Sequence, residues 1–328
     1  MIRDARWLGA ALALAERGVG RTAPNPSVGC IIVTDGRVVG RGWTQPGGRP
    51  HAEAMALAQA GDAARGGTAY VTLEPCAHVS LRGPACSDSL IDAGIARVVG
   101  PVTDPDPRTG GTGFARLRAA GIAVTEGVCR AEAAALNAGF FSRTLHGRPF
   151  VTLKLALSTD GCVAMADGTS RWITGAQARA HAHLERARAD LIVVGRGTLD
   201  ADDPALDVRL EGVEDCHPRA AVLSRTLAVI APDRRLAGAL LLRDFAEVDA
   251  MPTVLNVLVE GGAGVAASLL AADRVDRLLI YRSPIVLGGQ RGIADIGLHD
   301  LADAHGRWAL VESRALGVDR LEHYARTR

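Results

Sequence analysis

His51-Ala52-Glu53, Glu74-Pro75-Cys76 and Cys86 bring one imidazole, two thiols and spare carboxylates into the short stretch between positions 51 and 86. Zn²⁺ takes thiolate and imidazole ligands. A catalytic site stops at three protein ligands, so that water can fill the fourth position. Water on zinc loses its proton near neutral pH, and a carboxylate that does not bind the metal can shuttle that proton. His51, Cys76 and Cys86 are therefore the candidate ligands, and Glu53 is the candidate proton shuttle. Any one of these residues alone reads as a surface His, a buried thiol or an ordinary helical Glu. A closed structural zinc site, with His78 as a fourth ligand, would leave Glu53 without a task.

The placement supports chemistry. An apolar run at 68–73 predicts a strand that delivers Glu74-Pro75-Cys76, and 51–60 predicts a helix opened by Pro50. Nine residues separate Cys76 from Cys86, and Gly83-Pro84 can fold that loop back. An H-x-E then P-C pattern with a later Cys is the signature of zinc deaminases acting on amino-heterocycles.

The chain has 328 residues, 48% of them hydrophobic and 22% charged, which predicts two soluble globular domains. A formal net charge of +1 gives no global pull toward nucleic acid or an anionic membrane. Aromatics at 4% argue against a base-stacking groove. No apolar run approaches the roughly 20 residues of a membrane helix. Six scattered cysteines, with no secretory signal at the N-terminus, point to a cytoplasmic protein whose thiols serve a metal or catalysis.

Around the zinc motif the pattern is α/β. Residues 4–17 read as an amphipathic helix. Asp35-Gly36 between apolar runs 28–34 and 38–43 predicts a hairpin. Further strands are predicted at 96–99 and 122–124, and helices at 85–93, 114–120 and 131–144, giving three layers around a largely parallel sheet. His146-Gly147-Arg148-Pro149 is the boundary expected between domains 1–146 and 149–328. The second half restarts with a strand at 150–157 and continues with a helix at 176–188. Strands follow at 190–195, 220–223 and 253–259, then a helix at 264–272, a strand at 275–281 and two closing strands.

Function is less legible there. Arg186 and Arg209 could grip an anion such as a sugar phosphate, because guanidinium forks match phosphate oxygens. Solvated helix arginines are an equal reading. Val259-Glu-Gly-Gly-Ala-Gly264 offers a glycine-rich strand-to-helix turn, where backbone N–H groups can approach a pyrophosphate. A tight turn explains it equally well.

Pro24-Asn-Pro-Ser-Val-Gly-Cys30, His51-Ala-Glu53, Thr72-Leu-Glu-Pro-Cys-Ala-His78, Gly83-Pro-Ala-Cys86 and Asp104-Pro-Asp-Pro107 resemble the deaminase half of the bifunctional riboflavin-biosynthesis deaminase–reductase family. Lys154-Leu-Ala-Leu-Ser-Thr-Asp-Gly161, Ser170-Arg-Trp-Ile-Thr174, Ala201-Asp-Asp-Pro-Ala-Leu206 and Val259-Glu-Gly-Gly262 are similar to its reductase half. The resemblance implies a cytidine-deaminase-like three-layer α/β/α domain followed by a dihydrofolate-reductase-like α/β domain. It implies hydrolytic deamination of a phosphorylated diaminopyrimidine with Zn²⁺, then NADPH-dependent reduction of its ribosyl group.

The resemblance also assigns roles. Asn25 would face the deaminase substrate. Leu157, Trp172, Thr198, Asp202 and Ser224 would line NADPH, together with the run Gly262, Ala263, Gly264, Val265, Ala266, Ala267 and Ser268. Ser170, Arg186, Leu206, Arg209 and Glu260 would hold the phosphorylated substrate. The expected partners are that small molecule and a second copy in a homo-oligomer, with no nucleic acid and no membrane. The family carries a much longer segment where this chain has only 224–259, and Leu223 stands where the family has Asp. A deaminase with a degenerate second half is therefore the alternative.

Overall fold

The computed structural model describes residues 2–78 and 83–328. The chain divides into two compact units, Met1–Arg148 and Pro149–Arg328. Among the described residues, no helix is long and apolar enough to cross a membrane.

The first unit runs α1 (Ile2–Ala15), β1 (Gly29–Thr34), β2 (Arg37–Trp43), α2 (Ala52–Ala60), β3 (Thr68–Val71), α3 (Cys86–Asp92), β4 (Arg97–Gly100), α4 (Thr112–Ala119), β5 (Ala123–Glu126), α5 (Arg130–Leu136) and α6 (Ala138–His146). Its sheet has the order β2-β1-β3-β4-β5. It is mixed rather than largely parallel. β1 pairs antiparallel with both β2 and β3, while β3, β4 and β5 run parallel. The cause is local: Asp35-Gly36 turns the chain straight back, with Asp35 at φ 50° and Gly36 at φ 76°.

Alternation along β1 sends Ile31 and Val33 toward Leu8 and Ala11 of α1. The helix that carries His51 and Glu53 lies on β2 with almost no gap. A Cβ on Gly42 would come within 2.1 Å of the Ala52 carbonyl oxygen, and one on Gly40 within 2.2 Å of that of Ala56. Only glycine permits this approach, and it sets the depth of the zinc motif.

The helix expected over 131–144 is two helices, broken at Asn137, whose φ of −102° and ψ of 24° leave the helical range. The reason is tertiary. The Asn137 side chain accepts the Ser27 N–H at 2.8 Å through Oδ1 and donates to the Ser27 carbonyl at 2.9 Å through Nδ2. It thereby ties down the 22–28 loop.

The second unit contains β6 (Phe150–Ser158), β7 (Cys162–Ala164), α7 (Ala176–Ala187), β8 (Leu191–Gly195), α8 (Arg196–Asp202), β9 (Arg219–Leu223), β10 (Leu240–Leu242), β11 (Asn256–Val259), α9 (Ala263–Ala271), β12 (Arg277–Ser283), β13 (Gln290–Arg291), β14 (Trp308–Leu316) and β15 (Asp319–Arg326). Eight strands form one sheet in the order β10-β9-β8-β11-β6-β12-β15-β14. It is parallel from β10 to β12 and antiparallel across β12, β15 and β14. β7 and β13 pair separately.

One face of the sheet packs Val151, Leu153, Val193 and Val257 against Ala266 and Leu269 of α9. The short 224–259 segment is ordered by its own contacts. The Ser224 N–H donates to the Leu242 carbonyl, and Leu242, Phe245 and Val248 are buried in that core. A capping box, Asp244 with Glu247, starts its short 3-10 helix, Phe245–Ala250.

Candidate active sites

His51 is the N-cap of α2, Glu53 lies in that helix's first turn, and Cys86 opens α3. Cys76 lies beyond the end of β3. The His51 Nδ1 lies 3.2 Å from the Cys86 Sγ and 3.6 Å from the Cys76 Sγ. All three ligand atoms fall within 4.8 Å of one another. Tetrahedral zinc with bonds of about 2.0–2.3 Å places its ligand atoms about 3.6 Å apart, so the set fits the metal.

The Cys86 N–H, at the start of its helix, donates to the Cys76 Sγ at 3.3 Å. The Cys86 thiol, that N–H and the His51 imidazole together hold the Cys76 thiol well below its usual range, in spite of burial. Glu53 is buried, and burial raises its carboxyl pKa although the neighbouring His51 charge opposes this.

His78 is outside this cluster: its Nδ1 lies 3.3 Å from the Thr109 hydroxyl. Among the described residues the cluster is therefore His51, Cys76 and Cys86, which could supply three ligands, with Glu53 beside them. Residues 79–82 of the loop between the two cysteines lie outside the described residues. Asn25 is half-buried and donates through Nδ2 to the Gly48 carbonyl at 2.8 Å.

Sequence reasoning missed Glu74. Its buried carboxylate accepts three backbone N–H bonds: Asp104 at 3.0 Å and Gly111 at 2.9 Å on Oε2, and Phe114 at 3.0 Å on Oε1. It clamps the loop that carries Thr109, the partner of His78, and it stands two residues before Cys76. The signal was available: a carboxylate wedged between a buried strand and Pro-Cys needs partners.

In the second unit the expected residues gather at the carboxyl ends of parallel strands. Leu157 is the penultimate residue of β6, Thr198 and Asp202 are on α8 after β8, Ser224 follows β9, and Glu260 follows β11. Open α/β sheets bind ligands at this edge. Arg186, from α7, forks onto Glu260 at 2.6 and 3.0 Å and also donates to the Asp207 carbonyl at 2.9 Å. Lys154, missed as a site residue, places its Nζ 3.5 Å from Glu260 and 5.7 Å from the Tyr281 ring centroid. A lysine inside the apolar strand Phe150–Ser158 was the clue, because such a charge requires a partner.

The Ser170 hydroxyl reaches the Asp202 Oδ1 at 3.5 Å, and the Arg179 guanidinium lies 4.8 Å from the exposed Trp172 ring. Leu206 is buried at φ 54°. Arg209 turns to Asp207, 3.4 Å away. Within the run from Gly262, Ala266 is packed in the core and the Ser268 hydroxyl donates to the Val265 carbonyl. The first-turn N–H groups, which lack intrahelical acceptors, are what this run offers a phosphate. A Cβ on Gly261 would approach Val265 within 2.8 Å, so the turn cannot carry a side chain there. The donor set and the edge location fit a dinucleotide.

The family model described as "RibD C-terminal domain" matches residues 149–321, and "Cytidine and deoxycytidylate deaminase zinc-binding region" matches residues 1–100. The chain is 38% identical over 361 residues to "Riboflavin biosynthesis protein RibD" of Escherichia coli (strain K12), covering 97% of this chain and 98% of that protein. Two solved structures are similar over 99% of both chains. One is Acinetobacter baumannii RibD, form 1, at 34% identity and a TM-score of 0.88. The other is a diaminohydroxyphosphoribosylaminopyrimidine deaminase/5-amino-6-(5-phosphoribosylamino)uracil reductase from Thermotoga maritima, at 30% identity and a TM-score of 0.89.

Proposed function

Because the chain belongs to the RibD family of riboflavin biosynthesis proteins, we propose that it performs two consecutive steps of that synthesis. The first is hydrolytic deamination of 2,5-diamino-6-ribosylamino-4(3H)-pyrimidinone 5′-phosphate. The second is NADPH-dependent reduction of the ribosyl to a ribityl side chain. The observation that carries the first step is the three-ligand cluster with the buried, metal-free carboxylate of Glu53 beside it. The second step rests on the family match across residues 149–321, which speaks against the deaminase-only alternative.

Zinc, held by His51, Cys76 and Cys86, supplies Lewis acidity that brings a water to neutral-pH reactivity. Glu53 takes one proton of that water and passes it to a ring nitrogen, then carries the water's second proton to the departing amine, which leaves as ammonia. Its raised pKa suits a group that must both accept and release a proton. Asn25 holds the pyrimidine from a loop fixed by Asn137.

NADPH supplies the hydride for the imine-type carbon of the opened sugar. Leu157, Trp172, Thr198, Asp202, Ser224 and the first turn of α9 bind the cofactor. Ser170, Arg186, Leu206, Arg209 and Glu260 hold the phosphorylated substrate. The enzyme works in the cytoplasm as a homo-oligomer.

The test is ammonia release from the diaminopyrimidine by zinc-loaded protein without NADPH. Release that chelation abolishes and zinc restores supports the assignment. Release that is indifferent to zinc overturns it.

A further inference from the structure

Arginines gather at one corner of the second unit, where β8 and β9 end. Arg196 follows β8 directly, and Arg225 stands in the loop after β9. The Arg196 side chain bridges the two connections: its Nη1 donates to the Thr226 hydroxyl at 3.0 Å and its Nε to the Asp200 Oδ2 at 3.1 Å. Its Nη2 has no partner among the described residues. Arg225 is exposed and makes no ion pair among the described residues.

The loop that carries Arg225 is fixed from behind. Arg243, just after β10, donates to the carbonyls of Ser224, Leu227 and Ala228. The Leu227 N–H closes onto the Ser224 hydroxyl at 3.0 Å. Asp200 lies between Arg196 and Arg234, whose Nη2 is 3.8 Å away. Together those arginines outweigh the Asp200 charge, and Arg225 adds to the surplus.

We propose that Arg196, Arg225 and Thr226 form the subsite for the 2′-phosphate of NADPH and so set the preference for NADPH over NADH. This rests on the NADPH reading of the second unit. The expected cofactor contacts Leu157, Gly262, Thr198 and Ser224 stand at the carboxyl ends of β6, β11, β8 and β9, which are neighbours in that order. Lys154, Glu260 and its partner Arg186 gather at the β6 and β11 end. The hydride must meet the substrate there, so the adenosine end runs toward β9 and this corner. A Cβ on Gly262 would lie 3.9 Å from the Thr198 Oγ1, so the glycine turn that suits a pyrophosphate adjoins α8. Guanidinium forks and a hydroxyl match the oxygens of a phosphate. NADH offers only a ribose hydroxyl, which leaves the arginine charges unanswered.

The test is isothermal titration calorimetry of the full zinc-loaded chain with NADP⁺ and with NAD⁺, which differ only in the 2′-phosphate. It is run on wild type, Arg196→Gln, Arg225→Gln and Arg225→Lys, each shown to be folded by far-UV circular dichroism. Wild type should bind NADP⁺ at least about tenfold more tightly than NAD⁺, by a margin that shrinks as salt rises. Each glutamine variant should weaken NADP⁺ about tenfold, through loss of a charge-assisted hydrogen bond, and leave NAD⁺ binding where it was. Arg225→Lys keeps the charge without the fork and should fall between.

A wild type that binds neither dinucleotide overturns both this subsite and the NADPH reading. A wild type that binds both equally, or that prefers NADP⁺ while the glutamine variants match it, overturns the subsite alone. So does an equal loss of NADP⁺ and NAD⁺ in the variants, which would make the arginines supports of the loop.

Discussion

Arg186 and Glu260 form a two-point fork, Nε to Oε1 at 2.6 Å and Nη2 to Oε2 at 3.0 Å. Burial would raise the Glu260 pKa, but the Lys154 and Arg186 charges override it and hold the carboxyl at about 2, against an ordinary 4.5. A depressed folded-state pKa adds stability that is complete above the unfolded value and lost as pH falls toward the folded one. The melting temperature of the wild type should therefore exceed that of Glu260→Gln most above pH 4.5 and converge on it as pH drops toward about 2. A gap that stays constant across that range would mean that the charge on Glu260 does not stabilise the unit.

Asn137 holds both backbone groups of Ser27, which is buried. Asn137→Ala leaves a buried N–H and C=O without partners, which costs about 1–3 kcal/mol each. Urea unfolding should show this loss in the transition of the first unit. Asn137→Asp, which keeps the acceptor and loses the donor, should fall between. Equal stability of Ala and wild type would remove the clamp from the account.

Glu74 fixes a loop through three N–H bonds. Glu74→Gln turns one acceptor into a donor that faces donors. The deaminase KM should rise about tenfold or more as the loop shifts, with bound zinc and the reductase rate unchanged. Loss of zinc instead would make Glu74 a support of the metal ligands rather than of the loop.

The zinc set was readable because its members are close in sequence and their chemistry is exclusive. Glu53, two residues after His51, was readable as a carboxylate beside that cluster. The hairpin at Asp35-Gly36 and the longer strands of the second half follow from turn chemistry and apolar runs. What was hidden depends on distant partners. The break at Asn137 is made by a residue 110 positions away, and the three partners of Glu74 lie 30 to 40 positions away. Strand β10 has only three residues and no alternation to betray it. Residue type alone leaves Arg186 open between an anion grip and a solvated helix arginine, because its fork with Glu260 requires the sheet to bring α7 and β11 together.

Glu53→Gln keeps the shape of the side chain and removes its proton shuttle. Ammonia release should fall at least a hundredfold, with the zinc content of the protein unchanged. Activity within a few-fold of wild type would assign the proton transfer to another group.

Both activities reside in this one chain despite its short 224–259 segment. This is tested most directly by supplying the deaminated 5-amino-6-ribosylamino-uracil phosphate with NADPH and following nicotinamide absorbance, in wild type and in Glu53→Gln. NADPH oxidation should be matched by ribityl product at equal rates in both proteins. No oxidation, with ammonia still released from the diaminopyrimidine by the wild type, would contradict this and leave a deaminase alone.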